Sequence, residues 1–135
     1  MIMEDIKDRQ DLIKIVDTFY NTVKTDKTLG YIFDDVMHVN WDKHLPKMYD
    51  FWENILFQTG NYTGRPFPVH LQVNEKQQLG DTQFNRWMQV FIDTVNNLYQ
   101  GTKATELKQK AMNIQVIWKS KFNYINNTGT PHIIN

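Results

Sequence analysis

Apolar residues recur at three- and four-residue intervals in four stretches of the chain, which is the spacing of amphipathic α-helices. Little of the chain alternates with period two, so the sequence predicts an all-α fold with no sheet. In chain order, the predicted apolar faces are Leu12, Val16, Phe19, Tyr20, Val23; then Leu45, Met48, Tyr49, Trp52, Ile55, Leu56; then Phe84, Trp87, Met88, Phe91, Val95, Leu98; and finally Leu107, Ala111, Ile114, Trp118, Phe122, Ile125.

Glycine and proline indicate where the first two helices end and begin. Gly30 follows the first helix and can end it or turn the chain. Pro46 is tolerated only in the first turn of a helix, so the second helix should begin near Asp42 or Lys43. Gly60 is the expected C-terminal stop of that helix.

The third helix has a candidate cap in Asp81 or Thr82 and a candidate stop in Gly101. Residues 1–125 are predicted to form one domain, and the polar residues 126–135 a frayed tail. Between the second and third helices, the segment from Asn61 to Gly80 is too long for an ordinary connection. Segments of this length tend to be functional or disordered.

Composition and charge exclude several classes of site and partner. The net charge is +0, so no overall field favours nucleic acid or an acidic membrane surface. Cysteine is absent, which excludes disulfides, thiolate metal sites, covalent haem attachment and a cysteine nucleophile. The N-terminus lacks the apolar core of a signal peptide, and no apolar run is long enough to span a bilayer. We expect a cytoplasmic protein.

His70 is the best candidate for a metal ligand. It lies just after Pro66 and Pro68, and from Gly60 to His70 two glycines and two prolines forbid a long helix. Zinc would need three or four ligands in a recognisable spacing, which the four histidines do not offer. A haem needs only one imidazole, because the porphyrin supplies the other four nitrogens. The alternative is a partly exposed, hydrogen-bonded histidine.

Three other side chains are candidate hydrogen-bond donors on predicted apolar faces. Tyr20 and Trp87 would each place a polar atom in the core, where the alternative is an ordinary partner such as a backbone carbonyl. His44 shares a helical face with Met48 and can act as a gate on a pocket, or lie exposed in the first turn. The chain is 13% aromatic, which fits either a bulky core or a core shaped around a flat ligand.

The order and spacing of five segments resemble the group III truncated haemoglobins. The segments are 19–20, 29–33, 41–52, 60–71 and 84–91, and the resemblance extends over most of the chain from Leu12 to Phe122. It implies a shortened globin, in which two antiparallel helix pairs pack across each other in a two-over-two sandwich around a haem b.

The resemblance also implies roles for individual residues at the iron. His70 matches the proximal iron ligand, and Tyr20 and Trp87 match distal residues that donate hydrogen bonds to a bound ligand. His44 matches the distal gate histidine, and Met48 the apolar residue one turn further on.

Other matches concern the wall of the haem pocket. Phe33 matches a phenylalanine that wedges against the haem, Phe19 a pocket-wall aromatic, and Phe51 and Trp52 an aromatic pair beside it. Arg65 is a candidate partner for a haem propionate, because a guanidinium suits carboxylate geometry.

Three functions remain open at this stage. The first is reversible binding of oxygen or another small diatomic ligand such as nitric oxide. The second is a peroxidase-like or nitric-oxide-detoxifying enzyme, which would need an unidentified reductase because the chain has no reductase domain. The third is a haem-free helical interaction module whose aromatics are only core. The sequence indicates no nucleic-acid or membrane partner and leaves the oligomeric state undetermined.

Overall fold

The structure is a computed structural model that describes residues 3–33, 38–60, 62 and 79–128. Within these residues the chain forms four helices and no strand, which confirms the predicted all-α class. The helices are α1 (Arg9–Thr25), α2 (Trp41–Phe57), α3 (Asp81–Leu98) and α4 (Thr102–Thr128).

Helix α1 begins and buries its side chains as its sequence pattern predicts. The Asp8 carboxylate accepts hydrogen bonds from the backbone N–H groups of Gln10 and Asp11, which satisfies amides left without partners at a helix start. The whole predicted apolar face is buried. Beyond the helix, a Cβ at Gly30 would lie 2.6 Å from the Lys24 carbonyl oxygen, so the turn there requires glycine.

Helix α2 differs from the prediction at both ends. It begins at Trp41, so Pro46 lies in the second turn rather than the first. It ends at Phe57, and Gln58 rather than Gly60 is the left-handed residue that closes it, with φ +56°. Asn54 explains this early end. Its carbonyl accepts from Gln58 N at 2.9 Å, and its side chain accepts from Gly60 N at 2.7 Å.

The start of α3 also lies one residue earlier than predicted. Gly80 is the N-cap, and its N–H donates to the Gln83 side chain at 3.0 Å. Asp81 is therefore the first helical residue, and its carboxylate accepts from the Asn123 side chain on α4. The helix ends at Leu98 with Tyr99 as its C-cap, ahead of the predicted stop at Gly101.

Helix α4 continues past residue 125, the predicted end of the domain, to Thr128. The Asn126 side chain donates to the Leu79 carbonyl at 2.9 Å, so this part of the predicted tail contacts the chain just before α3. Residues 129–135 lie outside the described part. No helix in the described ranges is long and apolar enough to cross a membrane.

The helices pack as α1 on α2 and α3, with α4 on α2 and α3. Arg9 pairs with Asp50 and Glu53 between α1 and α2, and Lys110 of α4 donates to the Ile55 carbonyl of α2. The packed helices enclose two clusters of buried apolar residues. The larger cluster includes Phe19, Trp52, Phe91 and Leu107; the smaller one comprises Ile32, Leu79, Phe84, Phe122 and Ile125.

Candidate functional site

A cavity of about 280 Å³ separates the two apolar clusters, and residues of both clusters border it. All four helices contribute to its wall. Its described lining includes Tyr20 of α1; His44, Lys47, Met48, Phe51 and Trp52 of α2; Gln83, Phe84 and Trp87 of α3; Ile114, Gln115 and Trp118 of α4; and Leu29, Ile32, Phe33, Val39, Tyr62 and Leu79 between helices. The wall is mostly apolar and aromatic, which suits a flat apolar ligand.

Tyr20 is the most buried polar side chain that borders the cavity. It is 6% exposed, and its ring packs edge-on against Phe19 and Phe33 at centroid distances of 5.0 and 5.8 Å. Burial raises the pKa of its hydroxyl far above the usual value, so the group stays protonated and able to donate. Among the described residues, none hydrogen-bonds to this hydroxyl. A hydroxyl that faces a cavity from a buried side chain and has no protein partner is suited to bind a ligand.

His44 lies beside Tyr20 at the cavity. Its ring is 5.3 Å from the Tyr20 ring in an edge-on contact, and its Nε2 atom is buried. The first turn of α2 therefore carries this histidine in an inward pose, although Pro46 follows two residues later. A histidine here can both contact a ligand and block its path.

Trp87 reaches the cavity from α3 within a stack of aromatic rings. Its indole is nearly parallel to Phe91, at 9° and 5.4 Å, and stacks on Trp52 at 23° and 6.2 Å. Phe19 contacts the same indole edge-on at 5.6 Å. Because neighbours hold the ring on several sides, the direction of its single N–H donor is fixed by packing.

The structure brings most of the predicted site residues to this one cavity. Those that border it are Tyr20, Phe33, His44, Met48, Phe51, Trp52 and Trp87. Phe19 does not border it; it lies fully buried behind Tyr20 and Trp87, where it supports both rings. His70 and Arg65 lie outside the described residues. The roles of all these residues remain predictions.

Sequence reasoning missed Gln115, a buried polar residue in the cavity wall. Its Nε2 donates to Asn85 Oδ1 at 3.2 Å, and Lys119 donates to the same oxygen at 3.1 Å. Since a lysine can only donate, Asn85 must present its oxygen, and Gln115 must present its amide nitrogen. The sequence did contain a signal for this residue. Gln115 lies between Ala111 and Trp118 at helical spacing, so it is a polar residue on an otherwise apolar face.

Trp41 was also missed as part of the site. It packs on Tyr20, Phe33 and His44. Its sequence position gave no sign of this, because it falls before the predicted start of the helix.

Comparisons by sequence and by structure both find the chain similar to group III truncated hemoglobins. No protein-family model matches the chain. The group 3 truncated hemoglobin ctb of Campylobacter jejuni is 28% identical over 109 residues, which cover 78% of this chain and 84% of that protein. The crystal structure of a group III truncated hemoglobin from Campylobacter jejuni is similar with a TM-score of 0.77 and 26% identity, over 90% of this chain and 95% of that one.

Proposed function

We propose that this chain, which has the truncated globin fold and resembles the group III truncated haemoglobins, holds haem b and reversibly binds oxygen or a related diatomic ligand. The comparisons support a globin-type haem protein. The identity of the ligand and the roles of the cavity residues are the finer part of the proposal.

The described cavity residues fit such a group. Phe33, Phe51, Trp52 and Trp118 offer flat apolar faces to a planar macrocycle. Lys47 is an exposed cation that borders the cavity, and a lysine there can pair with a carboxylate of the group. His70 remains the predicted iron ligand. Haem supplies an iron centre at which a small diatomic ligand can bind.

The observation that carries the proposal is the Tyr20 hydroxyl. It belongs to a buried side chain, its surroundings keep it protonated, it borders the cavity, and no described residue takes its hydrogen bond. In a core built only for packing, a phenylalanine would fill this place without the cost of desolvating a hydroxyl. A ligand with a partly negative oxygen would remove that cost by accepting the bond.

Trp87 and His44 would add to the same effect. Trp87 can only donate, and His44 lies against Tyr20. A hydrogen bond to a charged acceptor contributes roughly 1.5–3 kcal/mol. Two such bonds would slow ligand release by about 10²-fold or more, because ~1.4 kcal/mol corresponds to tenfold. Release on that scale suits a protein that holds, senses or reacts with its ligand better than one that carries it in bulk.

The visible absorption spectrum tests the proposal directly. We expect the purified protein, with haem added if needed, to show an intense Soret band that shifts on reduction and again under carbon monoxide. A spectrum that stays featureless after haem is added would contradict the proposal. In that case, the aromatic residues around the cavity would be ordinary core.

A pair of histidine variants tests the iron ligand. We expect His70→Asn to lose stable haem binding, because it removes the predicted imidazole ligand. His38→Asn is the matched control, since His38 is exposed and asparagine tolerates its positive φ of 50°. If His70→Asn keeps haem with an unchanged spectrum, the assignment of His70 is wrong.

A further inference from the structure

The first turn of α2, which carries His44, has backbone hydrogen bonds but little support from side-chain capping. The N–H groups of Lys43 and His44 donate to the Asn40 carbonyl at 3.1 and 2.9 Å. The N-cap Asn40 makes no side-chain hydrogen bond to the described helix start. Pro46 has no N–H to donate to the Asp42 carbonyl one turn earlier. Just before the helix, His38 adopts a positive φ of 50°, which is uncommon for a residue with a side chain. Packing of side chains against other parts of the fold therefore adds to the backbone bonds that hold this turn.

Trp41, the first residue of α2, provides that packing. Its ring lies 5.3 Å from Tyr20 and 5.6 Å from Phe33. It also contacts His44 edge-on, at 5.6 Å and 80°. The His44 ring is thus enclosed by Tyr20 and Trp41, two rings on different helices. An outward swing of His44 would break its contacts with both rings.

Lys24 in turn fixes Trp41 from the end of α1. Its ammonium nitrogen lies 4.3 Å from the centre of the indole, within the range in which a cation is attracted to an aromatic face. Lys24 and Trp41 are both only partly exposed, which strengthens such an attraction. The tight approach of Gly30 to the Lys24 carbonyl anchors the chain that leaves α1 at this same turn.

We propose that Trp41 is a positioning residue, held by Lys24, that keeps His44 in its inward pose and so limits entry to the cavity. We call the Lys24–Trp41 contact the latch. Because the latch is broken by moving two partly exposed side chains, it opens without unfolding the core. The role in ligand entry rests on the proposed function, whereas the effect on the pose of His44 does not.

The pose of His44 is tested by nuclear magnetic resonance of the protein as purified, with or without haem. In the wild type we expect cross-relaxation between ring protons of His44 and Tyr20, since their ring centres are 5.3 Å apart. Trp41→Leu should weaken or abolish it, and Lys24→Met should weaken it. An unchanged signal in both variants would overturn the proposal. Lys24→Met tests the latch even if Trp41→Leu does not fold.

Ligand entry is tested by the rate of carbon monoxide association after flash photolysis of the haem-loaded protein. Loss of one cation–π contact should raise the rate about two- to fivefold in Lys24→Met. Trp41→Leu should raise it further, and Lys24→Arg should restore the wild-type rate because it keeps a cation over the ring. Lys103→Met is the matched control, since Lys103 lies over the Phe57 ring at 5.6 Å and neither residue borders the cavity.

The two failures are distinguishable. If the wild type binds no haem, the proposed function is wrong, and the magnetic resonance result alone decides whether the latch positions His44. If the wild type binds haem but the latch variants keep the wild-type association rate, the latch does not control entry and the proposal fails while the proposed function stands.

Discussion

Two buried tyrosines at different places in the fold differ in whether the hydroxyl has a protein partner. Tyr20 and Tyr99 are 6% and 8% exposed. Tyr99 donates to the Asp11 carboxylate at 2.9 Å, whereas the Tyr20 hydroxyl faces a cavity and has no partner among the described residues. At similar burial, the Tyr99 hydroxyl thus stabilises the fold through a hydrogen bond, whereas the Tyr20 hydroxyl is available to bind a ligand. The missing partner, rather than the burial, marks the candidate site.

The two helix starts in these regions show the same contrast. The start of α4 is capped by Asp5, whose carboxylate accepts from the N–H groups of Lys103 and Ala104 at 2.9 Å each. The start of α2, beside the cavity, has no side-chain cap in the described chain and contains Pro46. The hydroxyl of Tyr99 and the first amides of α4 therefore have side-chain partners, whereas the hydroxyl of Tyr20 and the start of α2 have none in the described chain.

The largest effect is expected where Asp5 meets α4. Gly101 has a φ of +148°, and a Cβ there would collide with the Asp5 side chain. Gly101→Ala should therefore lower the free energy of unfolding by about 3 kcal/mol, because it adds backbone strain and displaces the cap. Denaturant unfolding measures this. Gly60→Ala is the control, since Gly60 also has a positive φ but has nothing within 4 Å of its would-be Cβ.

A smaller loss for Gly101→Ala than for Gly60→Ala would mean that the cap contributes nothing. The cavity should not respond, so ligand association in Gly101→Ala should match the wild type under conditions in which the variant is folded.

The tyrosine pair sharpens the comparison further. Tyr20→Phe should speed oxygen dissociation by about tenfold or more, because it removes a donor to the ligand, and should leave the free energy of unfolding nearly unchanged. Tyr99→Phe should do the reverse, with a loss of about 1–2 kcal/mol in stability and no change in dissociation. Stopped-flow dissociation and denaturant unfolding on both variants complete the test. If Tyr20→Phe leaves the dissociation rate as it was, Tyr20 has no part in ligand binding.

A gradual effect, spread over a range of pH, is expected from alkaline titration. Burial and hydrogen bonds to Asp17 and Asp11 raise the pKa values of Tyr49 and Tyr99 to about 12 from 10.0. Because the folded-state values are raised, the stability they contribute is present below pH 10 and is lost as the pH rises towards 12. Unfolding midpoints between pH 9 and about 12 measure the loss. Tyr99→Phe should show a shallower decline than the wild type, and equal slopes would contradict the assigned cause.

Helical periodicity was enough to predict the four helices and the cavity residues that lie on their apolar faces. Tyr20, Met48, Trp52 and Trp87 fall at core positions of a three-to-four repeat, and His44 lies one turn before Met48 on the same face. The resemblance to a family added Phe33. These predictions depend on local spacing, which the folded chain preserves.

Contacts between distant residues could not be predicted in this way. The Tyr99–Asp11 bond joins residues 88 positions apart, and the Asp5 cap on Lys103 spans 98. Trp41 precedes the predicted helix start, so its place between Lys24 and His44 appears only once α1 and α2 are packed. The predicted helix ends were wrong for a related reason. The side chain of Asn54 ended α2 before Gly60, whereas the prediction relied on glycine alone.

The contact in which Asp5 caps the first turn of α4 has a kinetic consequence. It closes a noncovalent ring between residues 98 and 99 positions apart, and we expect such a contact to form late in folding because closing a long loop costs entropy. The amides of Lys103 and Ala104 are thus shielded from deuterium only while the segment around Asp5 is docked. Their exchange rates therefore report how often the segment around Asp5 lifts away from α4.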